Sequence, residues 1–425
     1  MTVIGSTNAA ATTIHARNEH SGRSASSLSC RSTPHDAFAN ESERWNVPIG
    51  PPFLSGYVHG IGDPGPRRYP LAPMGDDARA RAPGRVNLIG DHTDYQEGFC
   101  LPVAIDREVT VAWRRRGDGR VVARSAALDG VVDLDADGTG DPGPGWGRTV
   151  AAVLQVLAEL GRAPIGFDAR FTSTIPVGSG LSSSAAFEVA CALAAARAAD
   201  LDIRGTQLAL AMQEAEHRAT GVPCGLMDQM ASVHGRAGHA LLLDCRALTV
   251  EHVPLPESID VAVVHSGLPR RLERSAYAER RAACEAAAAR LGVPALRDAT
   301  AGQVAGDPIA RHVVSENARV LDAVEALRRG DADALGALMV DSHRSLRDDF
   351  GVSTPELDLL VDLSLRHGAL GARLTGAGFG GCVVLAVASG GADAVATEVA
   401  DRYRAATGLQ PLAFSVRAVD GAGVL

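Results

Sequence analysis

The chain contains no lysine, since all 41 residues counted as Lys plus Arg among its 425 residues are arginine. This absence excludes several kinds of chemistry. A phosphate loop that ends in GK[ST] needs a lysine, and so does the ion pair of protein kinases. Enzymes that form a Schiff base also need a lysine amine. If the protein binds phosphate, the ligands are therefore backbone N–H groups, arginine or a metal ion.

Paired cysteines, long apolar runs and excess positive charge are also missing. The seven cysteines form no C-x-x-C pair, which favours reduced thiols and a cytoplasmic protein. No apolar run reaches the length of a membrane span. The net charge of -9 favours neither nucleic acid nor a membrane as a partner. We expect a small-molecule partner, and we expect a monomer.

Residues 1–73 are rich in Ser, Ala, Asn, Gly and Pro and lack helical or strand periodicity. We expect a disordered N-terminal extension or a start codon assigned too far upstream, with Met74 as the true first residue. The beginning of the chain has no basic stretch followed by an apolar core, so no secretory signal is expected. Deletion of residues 1–73 is predicted to preserve folding and activity.

From Ala82 onward the pattern is that of a mixed α and β protein. Alternation predicts strands in EVTVAWRRR, GRVVARSA and FDARFTSTIP, and strands are also predicted on both sides of GAGFGG. Helices are predicted in WGRTVAAVLQVLAELG, in SSSAAFEVACALAAARAADL, and around residues 207–220 and 274–291. The length favours two domains. We place their boundary near residue 255, between domains of residues 74–255 and 256–425.

The segment PVGSGLSSSA lies between a predicted strand and a predicted helix, which is the context of a phosphate-binding loop. Glycines let the backbone approach a pyrophosphate, and a helix N-terminus attracts its charge. One serine would cap the helix while another hydroxyl reaches a phosphate or Mg²⁺. A simple capping turn is the alternative. The candidate nucleotide ligands are Pro176, Gly178, Ser179, Gly180, Leu181, Ser182, Ser183 and Ser184.

Three competing motifs do not fit. The G-x-S-x-G elbow of hydrolases is absent, because Ser179 lies in VGSGL. GAGFGG contains G-x-G-x-x-G, but it joins two predicted strands and no helix follows it, which argues against a dinucleotide fingerprint. No H-E-x-x-H motif occurs, so a zinc peptidase has no support.

Three segments, GRVNLIGDHTDY, PVGSGLSSSA and LTGAGFGGC, resemble the motifs of the galactokinase branch of the GHMP small-molecule kinases, in the same order. AEHRATGVPCGLMDQ, YAERRAACE, RHVVSENARV and SHRSLRDDF extend the resemblance over roughly residues 82–384. It implies an α+β fold of two lobes, one like a ribosomal protein and one ferredoxin-like. It also implies transfer of the ATP γ-phosphoryl group to the anomeric hydroxyl of D-galactose, with Mg²⁺ as cofactor. The family uses a glycine-rich loop instead of a lysine.

The resemblance assigns the chemistry to four residues. Asp228 matches the carboxylate beside the anomeric hydroxyl, where it would act as a general base or orient that hydroxyl. Arg85 matches the cation that stabilises developing charge. Ser183 and Glu216 match the Mg²⁺ ligands, and oxygen ligands suit a hard cation.

The resemblance also implies the substrate contacts. Carboxylates suit a sugar site because they accept hydrogen bonds from hydroxyls. The implied sugar-binding positions are Asp91, His92, Asp94, Gly225 and Tyr277. An Asp–His–Asp metal site is the alternative for the first three, and the motif match favours the sugar. The further nucleotide positions are Trp146, Gly376 and Gly378. The family's W-x-x-Y-x-x-G is WGRTVAA here, so an ordinary buried tryptophan is the alternative for Trp146.

Asp91 departs from the family pattern, because GEHTDY is GDHTDY in this chain. By resemblance the longer Glu reaches the hydroxyl on the exocyclic carbon, and Asp is shorter by about 1.5 Å. This predicts weak selection at that carbon, with 6-deoxygalactose and L-arabinose tolerated. By resemblance Asp94 contacts the ring hydroxyls that distinguish galactose from glucose, and because Asp94 is unchanged, D-glucose should be rejected. The alternatives are a kinase of L-arabinose, N-acetylgalactosamine or a uronic acid, and a silent sugar sensor. The complete GLSSSA segment favours an enzyme over a sensor.

Overall fold

The computed structural model describes residues 78–176, 178–268 and 273–425. The expectations for residues 1–73 therefore lie outside the described residues. All described residues belong to a single structural unit. Within it, no helix combines the length and the apolar composition needed to cross a membrane.

The described strands are, in chain order, β1 (Ala78–Asn87), β2 (Phe99–Cys100), β3 (Pro102–Arg116), β4 (Arg120–Ser125), β5 (Val131–Asp135), β6 (Gly166–Ser173), β7 (His239–Asp244), β8 (Thr249–Pro254), β9 (Ile259–His265), β10 (Ala369–Thr375), β11 (Cys382–Ala388), β12 (Leu412–Val416) and β13 (Gly423–Val424). They form sheets in the orders β13–β1–β3–β6–β4–β5, β10–β11–β9–β12 and β2–β7–β8. All strand pairs are antiparallel except β4 with β6.

The described α-helices are α1 (Gly147–Glu159), α2 (Ser183–Ala198), α3 (Gly205–Thr220), α4 (Met227–His234), α5 (Glu273–Leu291), α6 (Pro308–Arg329), α7 (Ala332–Asp348), α8 (Pro355–Arg366) and α9 (Ala392–Thr407). Helix α2 packs on β1 and β3 and also against α1 and α3. Its middle is rich in alanine and other apolar residues, as expected for a helix with neighbours on several sides.

The largest sheet forms where the sequence alternates. In β3, Val109, Val111 and Trp113 are buried, while Thr110 and Ala112 between them are half-buried. This period of two places one face against the core. The strands predicted in EVTVAWRRR, GRVVARSA and FDARFTSTIP are confirmed as β3, β4 and β6. The first three predicted helices are confirmed as α1, α2 and α3.

The four-stranded sheet is buried on both faces. In β11, Val384 belongs to the core shared with the six-stranded sheet, whereas Val383 and Leu385 belong to a second core. Strand β9 divides its side chains in the same way. A strand covered on both faces has a continuous apolar sequence, as CVVLAV does. Packing on both faces fixes β9 and β11 in the centre of the molecule.

The α+β class is confirmed, and so is the connection of β10 to β11 through GAGFGG without a helix. The boundary near residue 255 stays a prediction. The chain leaves the three-stranded sheet at Pro254 and enters the four-stranded sheet at Ile259. The C-terminus then returns to the largest sheet, because Ala418 bridges to Ile105 and β13 pairs with β1.

Candidate active site

The first loop, residues 88–98, leaves the end of β1 and is held by α6. The Gly90 N–H donates to Glu316 Oε1 at 2.9 Å. The Phe99 N–H donates to Asn317 Oδ1 at 2.7 Å. Gly90 has a φ of 98°, a conformation that favours glycine. The fixed backbone presents three of the predicted sugar-binding side chains, which are Asp91, His92 and Asp94.

The serine loop, residues 174–182, connects β6 to α2 and so has the predicted strand–loop–helix context. Contrary to expectation, no serine side chain caps α2. Its N-cap residue Ser182 is left-handed, with a φ of 59°. The Ser182 and Ser179 hydroxyls are buried and have no partner among the described residues. Uncapped N–H groups and unpaired hydroxyls leave this loop with donors for an anion.

The glycine loop, residues 376–381, connects β10 to β11 and lies against the other two loops. A Cβ on Gly378 would lie 2.4 Å from the Val352 carbonyl oxygen. The Phe379 N–H donates to the same oxygen at 2.8 Å. Close approach therefore requires glycine at position 378. Beyond the loop, the Cys382 thiol donates to Ser179 O at 3.0 Å, which ties β11 to the serine loop.

A cavity of about 300 Å³ lies where the three loops meet. The predicted site residues that line it are Arg85, Asp91, His92, Asp94, Gly178, Gly180, Ser182, Ser183, Ser184, Glu216, Gly225, Asp228, Tyr277 and Gly376. The predicted residues outside its lining are Trp146, Pro176, Ser179, Leu181 and Gly378. One cavity thus gathers residues that are far apart in the sequence.

Arg85 and Asp228 form an ion pair at the cavity wall. Arg85 Nε donates to Asp228 Oδ1 at 2.7 Å, and Arg85 Nη1 donates to Gly180 O, also at 2.7 Å. The Arg85 side chain is 5% exposed and that of Asp228 29%. Asp228 lies in the first turn of α4, where the helix dipole stabilises a negative charge. The pair joins the serine loop to a carboxylate that remains accessible from the cavity.

Asp94 occupies the space that a side chain at Gly225 would need. A Cβ added to Gly225 would lie 1.6 Å from Asp94 Oδ2. The N–H groups of Tyr95 and Met227 donate to Asp94 at 3.0 and 3.4 Å. The Gly225 N–H donates to the Tyr277 hydroxyl at 3.2 Å. Burial, with a contribution from the nearby charge of Asp228, raises the pKa of Asp94 to about 6.

Both ring nitrogens of His92 are engaged. Its Nε2 lies 3.2 Å from Ala377 O, and its Nδ1 lies 2.9 Å from the Tyr95 hydroxyl. A carbonyl oxygen only accepts, so Nε2 carries the proton and Nδ1 accepts from Tyr95. Burial lowers the pKa of His92 to about 3, which keeps the ring neutral. His92 therefore shapes the cavity wall without adding charge.

Asp91 lies at the edge of the cavity and is 2% exposed. Its Oδ2 pairs with Arg373, and its Oδ1 accepts from the Gly376 N–H at 3.0 Å. Burial raises the pKa of Asp91, and the charge of Arg373 opposes that rise. Each carboxylate oxygen thus already has a protein partner. A direct contact of Asp91 with a sugar stays a prediction.

Buried carboxyl groups cluster behind the serine loop. Gln229 Nε2 donates to Glu216 Oε2 at 2.6 Å. Burial and the charge of Asp228 raise the pKa of Glu216. Burial and the charge of Glu216 raise the pKa of Glu188 well above its usual range, and Glu188 Oε2 has no partner among the described residues. Neither Glu188 nor Glu216 forms an ion pair within the described part of the chain, so these carboxyl groups would attract a cation.

The opposite end of the cavity is apolar. The Phe171 and Phe187 rings, 4.5 Å apart, belong to its lining together with Leu128. Trp146 is 4% exposed and packs edge-on against Phe187, with ring centroids 6.0 Å apart. Its Nε1 donates to Asp129 O at 2.9 Å. Phe171 and Phe187 supply the aromatic surface of the cavity lining, Trp146 lies outside that lining, and a role of Trp146 beside the nucleotide stays a prediction.

Several cavity or supporting residues were missed at the level of sequence. Glu188 carries the only charge in AAFEVACALAAA, and a lone carboxyl in a buried helix could have indicated a functional site. Phe171 and Phe187 gave no signal, since buried strands and helices commonly carry phenylalanine. Arg373 gave none either, because its partner Asp91 lies 282 positions away.

Comparisons with known proteins agree with this architecture. The model of the GHMP kinases N terminal domain matches residues 148–236, and that of the GHMP kinases C terminal matches residues 323–405. The galactokinase galactose-binding signature matches residues 73–115. These three models cover the serine loop, the glycine loop and the first loop.

Curated relatives are similar over most of their length. Galactokinase of Roseiflexus sp. (strain RS-1) is 45% identical over 358 residues, which are 81% of this chain and 92% of the relative. Galactokinase of Streptomyces coelicolor is 44% identical over 364 residues, covering 80% and 92%. This level of identity over whole chains exceeds what a shared fold alone produces.

Solved structures give the same result. The crystal structure of Lactococcus lactis galactokinase complexed with galactose matches with a TM-score of 0.78 and 31% identity, covering 83% of this chain and 96% of that one. Methanococcus jannaschii mevalonate kinase matches with a TM-score of 0.62 and 19% identity, covering 82% and 100%. The second likeness concerns the fold alone. Taken with the curated relatives, these matches mean that the chain belongs to the galactokinase family of the GHMP kinases.

Proposed function

We propose that this protein is a sugar 1-kinase that transfers the γ-phosphoryl group of ATP to the anomeric hydroxyl of D-galactose. The products are galactose 1-phosphate and ADP. Whole-length similarity to galactokinases supports the reaction. The observation that carries the proposal is the Arg85–Asp228 pair, whose carboxylate is accessible from the cavity and lies between the serine loop and the Asp94 carboxylate.

The two ends of the cavity suit the two substrates. The serine loop offers uncapped helix N–H groups and free hydroxyls to phosphates, and the wall of Phe171 and Phe187 suits a purine base. At the other end, Asp94 accepts hydrogen bonds from sugar hydroxyls, and Gly225 leaves the room that this carboxylate needs. This arrangement would orient the sugar toward the phosphates.

The transfer needs little covalent chemistry from the protein. The anomeric oxygen forms a bond to the γ-phosphorus while the bond from that phosphorus to the β-phosphate oxygen breaks, and ADP leaves. Asp228 accepts the hydroxyl proton or orients the hydroxyl for attack. Arg85 orients Asp228 and places positive charge beside the serine loop. Positioning and charge stabilisation together account for the proposed catalysis.

The residues behind the serine loop suit Mg²⁺. The described residues contain no cluster of three or more His, Cys, Asp or Glu side chains that could hold a metal on its own. Mg²⁺ commonly uses one or two carboxylates together with substrate phosphates and water. The unpartnered oxygen of Glu188 and the uncompensated charge of Glu216 fit such a shared site, with Ser183 and Glu216 as the proposed ligands. When bound, Mg²⁺ would neutralise charge on the phosphate oxygens.

Glu216→Gln and Ser183→Ala are expected to raise the Mg²⁺ concentration needed for half-maximal activity by about tenfold or more. Each variant removes a proposed oxygen ligand with a small change in volume. A Mg²⁺ titration at saturating ATP and sugar measures the effect. Glu214→Gln is the matched control, because Glu214 lies on the same helix and pairs with Arg218 at the surface. An unchanged Mg²⁺ requirement in both test variants would remove these ligands from the proposal.

The raised pKa of Asp94 predicts a pH dependence. Below a pH of about 6 this carboxyl gains a proton and loses its charge and part of its acceptor capacity, so kcat/KM for galactose should fall by up to about tenfold per pH unit. Rates between pH 5 and pH 8 measure this. Asp94→Asn should be less active and should lack the inflection. A wild-type profile that is flat across this range would contradict a role for ionised Asp94.

A coupled ADP-release assay across free sugars tests the function. We expect the highest kcat/KM with D-galactose, no turnover of D-glucose, and measurable turnover of 6-deoxygalactose and L-arabinose. A clear preference for L-arabinose, N-acetylgalactosamine or a uronic acid would select the kinase of a related sugar, which the short Asp91 side chain favours as the second candidate. Sugar binding without any ADP release would indicate a silent sensor.

The proposal also covers the cellular compartment and the oligomeric state of the enzyme. We place it in the cytoplasm as a monomer, where thiols remain reduced. Among the described residues the cysteines form no disulfide, which is compatible with that compartment.

A further inference from the structure

The first loop and the glycine loop are joined by a buried polar cluster, which we call the Asp91 clamp. It consists of Asn87 and Asp91 on one side and Arg373, Thr375 and Gly376 on the other. The Asn87 N–H donates to Thr375 Oγ1 at 2.9 Å, and Arg373 Nη1 donates to Asn87 O at 3.2 Å. Arg373 Nη2 pairs with Asp91 Oδ2, and the Gly376 N–H donates to Asp91 Oδ1 at 3.0 Å.

Asp91 and Gly376 line the cavity, and the rest of the clamp extends from there into the protein interior. The Arg373 side chain is 0% exposed and is not part of the cavity lining. A buried ion pair is tolerated only when its geometry is complete, and removal of one partner leaves a charge without compensation. Asp91 is therefore held in one orientation by Arg373. Its other oxygen then fixes the position of the Gly376 N–H.

Gly376 is the first residue of the glycine loop, and it lines the cavity. The next residue, Ala377, accepts from His92 through its carbonyl oxygen, so the loop has a second contact with the first loop. On the far side of the glycine loop, the Cys382 thiol donates to Ser179 O. A displacement at Gly376 would therefore be transmitted toward the serine loop, where the phosphates are proposed to bind.

We propose that Asp91 is a positioning residue, which fixes the glycine loop through Arg373 and the Gly376 N–H and so sets the nucleotide end of the site. This inference rests on the proposed function and refines it. Asp91 does not select the sugar at its exocyclic carbon. Sugars that lack the exocyclic hydroxyl are accepted because no carboxylate oxygen of Asp91 is reserved for that hydroxyl.

Two variants test the clamp, Asp91→Asn and Arg373→Lys. The first removes the charge with little change of volume, and the second replaces a planar fork by a point charge that cannot hold Asn87 O and Asp91 together. Affinity for a fluorescent ADP analogue is measured by titration. Affinities for D-galactose and 6-deoxygalactose are measured by calorimetry. Neither measurement depends on turnover.

In both variants we expect nucleotide affinity to fall by about tenfold or more, the scale of a lost charged hydrogen bond. The affinities for galactose and 6-deoxygalactose should change by the same factor, within about twofold. A bond from Asp91 to the exocyclic hydroxyl would instead weaken galactose binding and spare 6-deoxygalactose. Comparing the two sugars thus separates a positioning residue from a sugar ligand.

Arg162→Lys is the matched control for general destabilisation. Arg162 is also buried, and it donates to the carbonyl oxygens of Ala195, Ala136 and Ile165 at 2.9, 2.6 and 2.6 Å. It lies outside the cavity lining. We expect this variant to lower the melting temperature and to leave nucleotide affinity unchanged. The control shows whether loss of stability alone mimics the predicted effect.

The proposal is overturned if nucleotide affinity stays within about twofold of wild type, or if galactose loses more affinity than 6-deoxygalactose beyond that same margin. It is also overturned if Arg162→Lys weakens nucleotide binding as much as the test variants do. If Asp91→Asn does not fold, Arg373→Lys decides by the same criteria. Failure of the proposed function would appear separately, as a wild-type protein that binds nucleotide but phosphorylates no galactose.

Discussion

Asp228→Asn is expected to lower kcat by about a hundredfold to ten-thousandfold, the range of general acid–base catalysis. The change removes the charge and the basicity of the carboxylate and keeps its shape. Its partner Arg85 also contacts Gly180 O, so the serine loop should keep its position and nucleotide affinity should be close to that of wild type. The ADP-release assay measures kcat, and titration with the fluorescent ADP analogue measures affinity.

Asp333→Asn provides the control for this experiment. Asp333 also lies in the first turn of a helix, α7, but it is exposed. Its replacement should leave kcat unchanged. Near wild-type turnover in Asp228→Asn would mean that this carboxylate takes no part in the transfer, even if the sugar panel identifies galactose as the substrate.

Gly225→Ala is expected to raise the KM for galactose by about a hundredfold, which corresponds to the loss of one or two charged hydrogen bonds. The new Cβ would lie 1.6 Å from Asp94 Oδ2, so the carboxylate has to leave its position. Gly225 is not among the residues with positive φ, and alanine is therefore allowed by the backbone. The added methyl group would therefore act by steric displacement of the Asp94 carboxylate. Initial rates over a range of galactose concentrations measure it.

Gly302→Ala is the corresponding control. A Cβ at Gly302 would meet nothing within 4 Å, and its φ is not positive either. This variant should retain the wild-type KM. If Gly225→Ala also retains it, Asp94 does not bind the sugar, and the sugar end of the cavity has to be sought elsewhere.

The local contexts of the three loops could be predicted from the sequence. These contexts depend on short segments: alternation in β3 and β6, helical periodicity in α1 and α2, and the absence of a helix after GAGFGG. The structure contains each of them because local patterns of this kind determine local secondary structure. The helix cap could not be predicted in the same way. Serine is a common capping residue, but Ser182 adopts a left-handed conformation and its hydroxyl makes no capping hydrogen bond.

Contacts between distant residues could not be predicted. Whether Trp146 or Phe187 faces the cavity depends on how α1 packs against α2, and no single segment encodes that packing. The ion pair of Asp91 with Arg373 has the same origin, because the two residues lie 282 positions apart in the chain. The resemblance placed Asp91 at the site, and only the three-dimensional structure showed that both of its oxygens already have partners.

The edge of the largest sheet is closed by the short strand β13, which follows all other strands in the chain. Ala80 pairs with Val424, and the Leu425 N–H donates to Arg79 O at 2.8 Å. N-terminal segments generally fold first as a chain leaves the ribosome. Until β13 has been made and has paired, β1 therefore has an uncovered strand edge at Ala80 and Arg81, and such an edge can pair with another chain. Pairing of β13 with β1 thus completes the sheet and covers this edge.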